Sequence, residues 1–245
     1  MILEGIIQGL TEFLPVSSSG HLALLKAIFK EGSITTTVIF HLATLLAVIF
    51  FLRQEIVKIF NGLVRGVSDP AFKTFCNLVI ATVPAMVVGV SIAEIIEKIF
   101  SSYRLTLGLL ILNGSFILGT VWRRSQERRI GPVEAIVIGV YQAIAILPGI
   151  SRSGATIGIA LYLGVKPIEA FRFSFLLSIP VIIGAGVLEI NGITKAFSTC
   201  WDGFLISFFS GIVSLYILRR LVVSKLFYLF GIYCIVIGWA GLIFF

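Results

Sequence analysis

The sequence predicts an all-α integral membrane protein of six transmembrane helices plus two re-entrant helical hairpins, arranged as an inverted repeat in a single membrane domain, residues 1–245. Three observations lead there. Of 245 residues, 58% are apolar and 13% charged, with a mean hydropathy of +1.08, whereas an ordinary soluble domain carries about 25% charged residues. A water-soluble globule is excluded, and at ~20 residues per spanning helix the apolar residues fill about six or seven crossings. Basic residues gather in some connections and avoid others, and two long apolar stretches are interrupted by Pro, Gly and Ser. The net charge of +7 lies in short connections, where lipid headgroups and topology account for it, so nucleic acid is not expected as a partner. Cys76, Cys200 and Cys234 share no ligand spacing and read as small buried side chains.

The first element, 1–30, is apolar but broken by LPVSSSGH at 14–21, which suits a hairpin better than a span. Apolar stretches of spanning length follow at 36–52, 74–96 and 105–121. Segment 133–165 repeats the broken pattern, with LPGISRSGAT at 147–156, and spans at 170–189, 204–218 and 226–245 close the chain. Connections 53–73, 122–132 and 219–225 hold eleven Lys and Arg against three in the other two, which places the first three in the cytoplasm. Parity of crossings then requires 133–165 to enter and leave from the cytoplasmic side, and 1–30 from the outer side. The halves 1–121 and 133–245 are each one hairpin plus three spans, inverted with respect to each other. Aligning Gly20 with Gly154 pairs Gln8 with Gln142 and brings Pro15 within one residue of Pro148. Non-helical backbone at membrane depth must be buried in protein or line a cavity, so the two tips are expected to build a polar pocket.

Arg152 is the one basic residue that topology leaves unexplained. An arginine inside a membrane costs several kcal/mol, which marks it as functional, with a packing ion pair to Glu12 as the plain alternative. Gly149, Ser151, Ser153, Gly154 and Thr156 surround it with hydroxyls and backbone N–H groups at the start of a helix, a setting that favours phosphate. On the first hairpin, Glu4, Gln8 and Glu12 recur every four residues and share a helical face. Ser17, Ser18, Ser19, Gly20 and His21 follow the break. Hydroxyl, imidazole and carboxylate opposite an arginine fit nucleophilic attack on an anionic ester, although one serine is expected to cap a helix. His41 is read as a packing residue of its span, with support of the pocket as the alternative, and Asn77, Asn113 and Thr82 as serving packing, helix contacts or pocket shape.

QGLTEFLPVSSSGH at 8–21 and PGISRSGAT at 148–156 resemble the two signature segments of the undecaprenyl pyrophosphate phosphatase family, of bacitracin-resistance type, and the likeness continues through HLATLLAV from His41. The resemblance implies hydrolysis of the terminal phosphate of undecaprenyl diphosphate to undecaprenyl phosphate and inorganic phosphate, which recycles the lipid carrier of peptidoglycan synthesis. It places Glu12, Ser18, His21 and Arg152 in the catalytic role. Gln8, Ser17, Ser19, Gly20, Gly149, Ser151, Ser153, Gly154 and Thr156 are then expected to bind substrate. Ser18 is expected as the nucleophile with His21 as its base, a nucleophilic His21 or a water activated by Glu12 being the alternatives, and Glu12 is expected either to orient His21 or to hold a metal. Many relatives have glutamate in place of Gln8, leaving Glu12 as the main expected ligand of a divalent cation, Mg2+ or Ca2+, with Glu4 as a helper. The expected partners are a polyprenyl diphosphate lipid, the bilayer and a second copy in a homodimer, and the expected location is the inner (plasma) membrane, with the pocket open to the outer face. The rival reading is a lipid-phosphate transporter or flippase, since broken helices meeting at a midplane also serve carriers.

Overall fold

Prolines, serines and glycines set where the helices stop. In the computed structural model, which describes residues 1–18, 20–21, 34–91, 102–123, 127–188 and 200–244, the described residues form ten α-helices and one 3-10 turn. Helix α1 (Ile2–Phe13) ends where Leu14 becomes extended, because the residue before a proline is disfavoured from helical geometry. Helix α2 (Ile34–Phe51) is followed by α3 (Arg53–Arg65), which stops at Gly66 with φ of 87°. Helix α4 (Pro70–Ser91) opens on a proline, a residue already shaped for a first turn. The Ser102 hydroxyl caps α5 (Tyr103–Leu118), which tightens into the 3-10 turn Gly119–Trp122. Helix α6 (Pro132–Ile144) also opens on proline, and the Glu134 carboxylate accepts from the Gly131 N–H at 3.0 Å. Ser151 caps α7 (Arg152–Tyr162), and α8 (Pro167–Leu188), α9 (Trp201–Val223) and α10 (Leu229–Phe244) complete the chain.

Helices in lipid gain little from the hydrophobic effect and associate through close contact of small residues. The main seams here are of that kind. A Cβ on Gly5 of α1 would stand 2.5 Å from the Gly203 carbonyl oxygen of α9, and one on Gly9 2.6 Å from that of Ser207. Gly139 of α6 meets the Ala81 backbone of α4 in the same way, as do Gly114 of α5 and Gly231 of α10. The packing is crosswise along the chain: α1 lies on α9, α6 on α4 and α5 on α10. Helix α7 runs inside the bundle with residues 153–161 all buried. Beside it, Phe13 meets Phe175 edge to face at 5.4 Å, and Phe171, Phe175 and Phe227 are fully buried.

The expected layout of six spans plus two re-entrant hairpins is overturned. Among the described residues, four helices are long and apolar enough to cross a membrane: Pro70–Gly89, Tyr103–Trp122, Pro167–Gly184 and Trp201–Val223. The stretch expected as a span at 226–245 yields the shorter apolar helix Leu229–Phe244, whereas that at 36–52 lies almost wholly within the 18 residues of α2. The reason is local. The turn that begins at Ser224 and Lys225, where φ reaches 61°, continues through Tyr228, so the stretch becomes helical only at Leu229, and the 16 residues of α10 rise about 24 Å at 1.5 Å per residue, short of the ~30 Å hydrocarbon core. Counting apolar residues across such a turn overstates the span. The parity argument for the hairpins needed all six crossings and falls with them. Segment 133–165 holds two short helices, α6 and α7, joined through 145–151. For 1–30, α1 and the turn after it are described, while 22–30 lie outside the described residues. Helix α3 occupies 53–65, which the sequence reading took as part of a connection. The molecule is a multi-pass helical membrane bundle.

Candidate active site

Glu12 lies on the last turn of α1, and its carboxylate gathers groups from four parts of the chain. Oε1 accepts from Arg152 Nη2 at 3.0 Å. Oε2 accepts from Gln8 Nε2 at 3.0 Å and from Ser18 Oγ at 3.1 Å, and stands 3.2 Å from His41 Nε2. The Glu12 and Arg152 side chains are 9% and 15% exposed. A charge removed from water to that degree is tolerated only when paired and hydrogen-bonded, and the two oxygens use nearly all of a carboxylate's accepting capacity. Gln8 reaches Glu12 because residues four apart share a helical face.

The turn after α1 supplies Ser18. Ser17 holds φ of 65°, a left-handed conformation uncommon for a residue other than glycine, and its hydroxyl accepts from the Gly20 N–H at 3.2 Å. Ser17 is thus the expected capping serine. Its carbonyl accepts from the His21 backbone N–H at 3.2 Å and from His21 Nδ1 at 2.9 Å. The other imidazole nitrogen, Nε2, is 2.7 Å from the Tyr233 hydroxyl of α10. His21 therefore faces Tyr233, and the acceptor beside Ser18 is Glu12.

At the second break, the helix start that carries Arg152 is pinned on every side. Ser151 Oγ accepts from the Gly154 N–H at 3.2 Å and lies 3.1 Å from Ser153 Oγ. Thr156 Oγ1 donates to the Arg152 carbonyl at 2.8 Å and meets Ser174 Oγ of α8 at 2.6 Å. Gly149 has φ of 96°, and a Cβ there would run into the Thr106 carbonyl of α5. Phe175 lies 6.0 Å from the Arg152 guanidinium carbon. Among the described residues, Arg152 Nη1 and Gln8 Oε1 are buried with no partner, leaving a donor and an acceptor free on either side of Glu12.

The structure thus brings Gln8, Glu12, Ser18 and Arg152 together. It sets Ser17, Gly20, Gly149 and Ser151 at the two breaks and Ser153, Gly154 and Thr156 in the first turns of α7, and directs His21 to α10. Ser19 lies outside the described residues. Glu4 is 3.4 Å from the Met1 amino group rather than beside Glu12. His41, read from sequence as a packing residue with support of the pocket as the alternative, joins the cluster; the signal was the cost of a polar ring in an apolar helix. Asn113 was read the same way, and its Oδ1 accepts from the Ser151 N–H at 3.2 Å while its Nδ2 is 3.8 Å from Cys234 Sγ. Cys234 Sγ in turn lies 3.4 Å from the Pro15 carbonyl, so Asn113 and Cys234 tie the two broken turns together. Nothing in the local sequence of Tyr233 announced its contact with His21.

Known proteins resemble this chain along nearly its full length. A protein named undecaprenyl-diphosphatase from Methanococcus maripaludis strain C7 is 41% identical over 239 residues, covering 95% of this chain and 94% of the relative. One of the same name from Methanococcus vannielii is 42% identical over 240 residues, with coverage of 95% and 94%. Another from Thermosipho africanus is 40% identical over 240 residues, with coverage of 97% and 96%. The family described as bacitracin resistance protein BacA matches residues 1–240, a span that includes both broken turns and the helices that hold them, and the chain belongs to that family.

Proposed function

We propose that this protein is an undecaprenyl-diphosphatase, which hydrolyses undecaprenyl diphosphate to undecaprenyl phosphate and inorganic phosphate. The observation that carries the reading is the shared carboxylate: Ser18 and Arg152 meet on the two oxygens of Glu12, and Arg152 keeps a buried N–H without a partner. That N–H and the N-terminus of α7 suit the terminal phosphate. Ser18 is the nucleophile. Its oxygen attacks the terminal phosphorus, its proton passes to Glu12, and the bond from that phosphorus to the bridging oxygen breaks, so the lipid leaves as a monophosphate. Water then displaces Ser18 from phosphorus, Ser18 recovers its proton from Glu12, and the water proton is released to solvent. Arg152 holds the phosphate charge throughout, and since that charge is fixed before reaction it lowers the barrier without reorganisation.

The unpartnered Gln8 Oε1 and Glu12 Oε1, which accepts one bond, from Arg152, would offer two oxygens to a divalent cation, Mg2+ or Ca2+, of which Mg2+ needs few protein carboxylates when substrate phosphates complete its shell. When bound, such an ion supplies further neutralisation of the diphosphate. An apolar groove of about 340 Å³ between α3, α4 and α8, lined in part by Phe60, Phe75, Leu78 and Leu176, would take a part of the prenyl tail, the rest lying in lipid. Leu176 follows directly on Phe175, the ring nearest Arg152. The basic connections favour a plasma-membrane protein, and the crosswise packing supports two related halves, 1–121 and 133–245. A second copy would complete a homodimer.

The test is phosphate release by purified protein from undecaprenyl diphosphate and from farnesyl diphosphate. Turnover is expected to vanish in Arg152→Ala and Ser18→Ala and to persist in Ser224→Ala, a change at the exposed end of α9. Tight lipid-diphosphate binding without turnover would sink the enzyme reading in favour of a carrier.

A further inference from the structure

Gln142, on the last turns of α6, is only 2% exposed, yet neither Nε2 nor Oε1 of its amide has a hydrogen-bond partner. A buried amide left unbonded is costly and uncommon enough to need a cause, and the internal repeat supplies one. With Gly20 aligned on Gly154, equivalent residues keep equivalent contacts. Ser17 Oγ accepts from the Gly20 N–H and Ser151 Oγ from the Gly154 N–H, both at 3.2 Å. A Cβ on Gly5 would stand 2.5 Å from a backbone carbonyl oxygen of α9, and one on the equivalent Gly139 would stand 2.5 Å from one of α4. Gln8 and Gln142 are also equivalent, and both are buried. The difference lies four residues further on. Glu12 accepts from the Gln8 amide at 3.0 Å, whereas the residue at that place in the second half is Ile146, which accepts nothing.

We propose that Gln142 binds the phosphate that stays on the lipid: its amide donates to the oxygens of the phosphate bonded to the prenyl chain, while Arg152 holds the terminal one. The repeat gives the placement. Ser18 and Arg152 are themselves equivalent positions, one from each break, and they meet on the two oxygens of Glu12. Gln142 stands behind the second break as Gln8 stands behind the first. In phosphoryl transfer the attacking and leaving oxygens lie roughly in line across phosphorus. With Ser18 attacking from the first break, the leaving lipid phosphate faces the second, where Gln142 is, beside the Arg152 guanidinium, a donor with its hydrogen bonds unmade. The missing bond destabilises the ligand-free protein and strengthens binding once an anion fills it. Assignment to the lipid phosphate rests on the phosphatase reading; an anion subsite at Gln142 does not.

Gln142→Met keeps the length and unbranched shape of the side chain and removes the amide. Without ligand the variant is expected to melt at or above the wild-type temperature, because an apolar group takes the place of an unpaired polar one. By calorimetry in detergent, farnesyl phosphate is expected to bind it about 10- to 100-fold more weakly than it binds wild type, the loss of one hydrogen bond to a charged group, with the affinity for inorganic phosphate unchanged. KM for farnesyl diphosphate should rise by the same range. Gln54→Met, the same change at an exposed position of α3, is expected to match wild type throughout. A lower melting temperature in Gln142→Met overturns the proposal, since the amide then serves a structural bond. Unaltered farnesyl phosphate binding overturns it as well, and so does equal weakening of both ligands, which would move Gln142 to the terminal phosphate. Wild-type protein that binds farnesyl phosphate through Gln142 but releases no phosphate from farnesyl diphosphate would refute the phosphatase reading and leave the subsite standing.

Discussion

One carboxylate organises the chemistry. Glu12 holds an arginine, a serine, a glutamine and a histidine at 3.0–3.2 Å, and the loss of its charge affects each of them differently. Glu12→Gln keeps the shape but leaves the Arg152 guanidinium buried opposite a neutral amide and gives Ser18 no base. Turnover is expected to drop about 10²- to 10⁴-fold, the range of a lost general base. Thermal unfolding of the purified variant should show a clear loss of stability as well, since removing one member of a buried pair costs about 3–5 kcal/mol; wild-type turnover in Glu12→Gln would remove Glu12 from the mechanism. Arg152 was legible in the sequence because an unexplained charge in an apolar chain is costly wherever it sits. His41 was not, because a histidine's cost depends on the partner it meets, and that partner is 29 positions away.

At the scale of elements, the end of α1 and the start of α7 decide the site. Gly149 is the sharpest case: φ of 96° together with the Thr106 carbonyl leaves no place for a side chain. Gly149→Ala is expected to destabilise by about 1–3 kcal/mol from overpacking, and to lower turnover more than stability, because the same turn sets the start of α7 and so the direction of Arg152. Melting and kcat measured on the same preparation separate the two, and a variant with wild-type values in both would show that the turn is not under that constraint. Gly20 makes the contrast: a Cβ there meets Ser17 Oγ at 3.4 Å, an ordinary contact. Helix α3 shows why an element can be missed. Arg53, Lys58 and Arg65 made 53–73 resemble a connection, yet the apolar residues between them, Ile56, Ile59 and Phe60, line the groove against α4 and α8. Charge counting sees the polar face of an amphipathic helix and overlooks the other one.

For the whole molecule, the two broken turns belong to distant parts of the chain and are joined by groups that neither contains. Asn113 accepts from the Ser151 N–H and leads through Cys234 to the Pro15 carbonyl. Asn113→Leu, close in volume, leaves the buried Ser151 N–H without an acceptor, a loss of about 1–3 kcal/mol. It is expected to cut kcat at least tenfold while the helical content seen by circular dichroism stays unchanged; full activity would mean that the seams alone align the turns. Those seams, Gly5 and Gly9 on Gly203 and Ser207, or Gly139 on Ala81, are visible in the sequence as small residues four apart, but only the packing shows which pairs with which.

Composition decided the membrane class, and the Pro, Gly and Ser interruptions marked both places where polar groups gather, because transfer of apolar and charged side chains between water and lipid depends on each residue's own chemistry. The number of full spans was beyond that reach: where a helix ends depends on its caps and on the neighbours it packs against, so an apolar run of spanning length became the 16-residue α10. The partners of His41 and His21 were a matter for the tertiary structure. They come from 29 and 212 residues away, and a hydrogen bond depends on ångström-scale placement that only the assembled bundle provides.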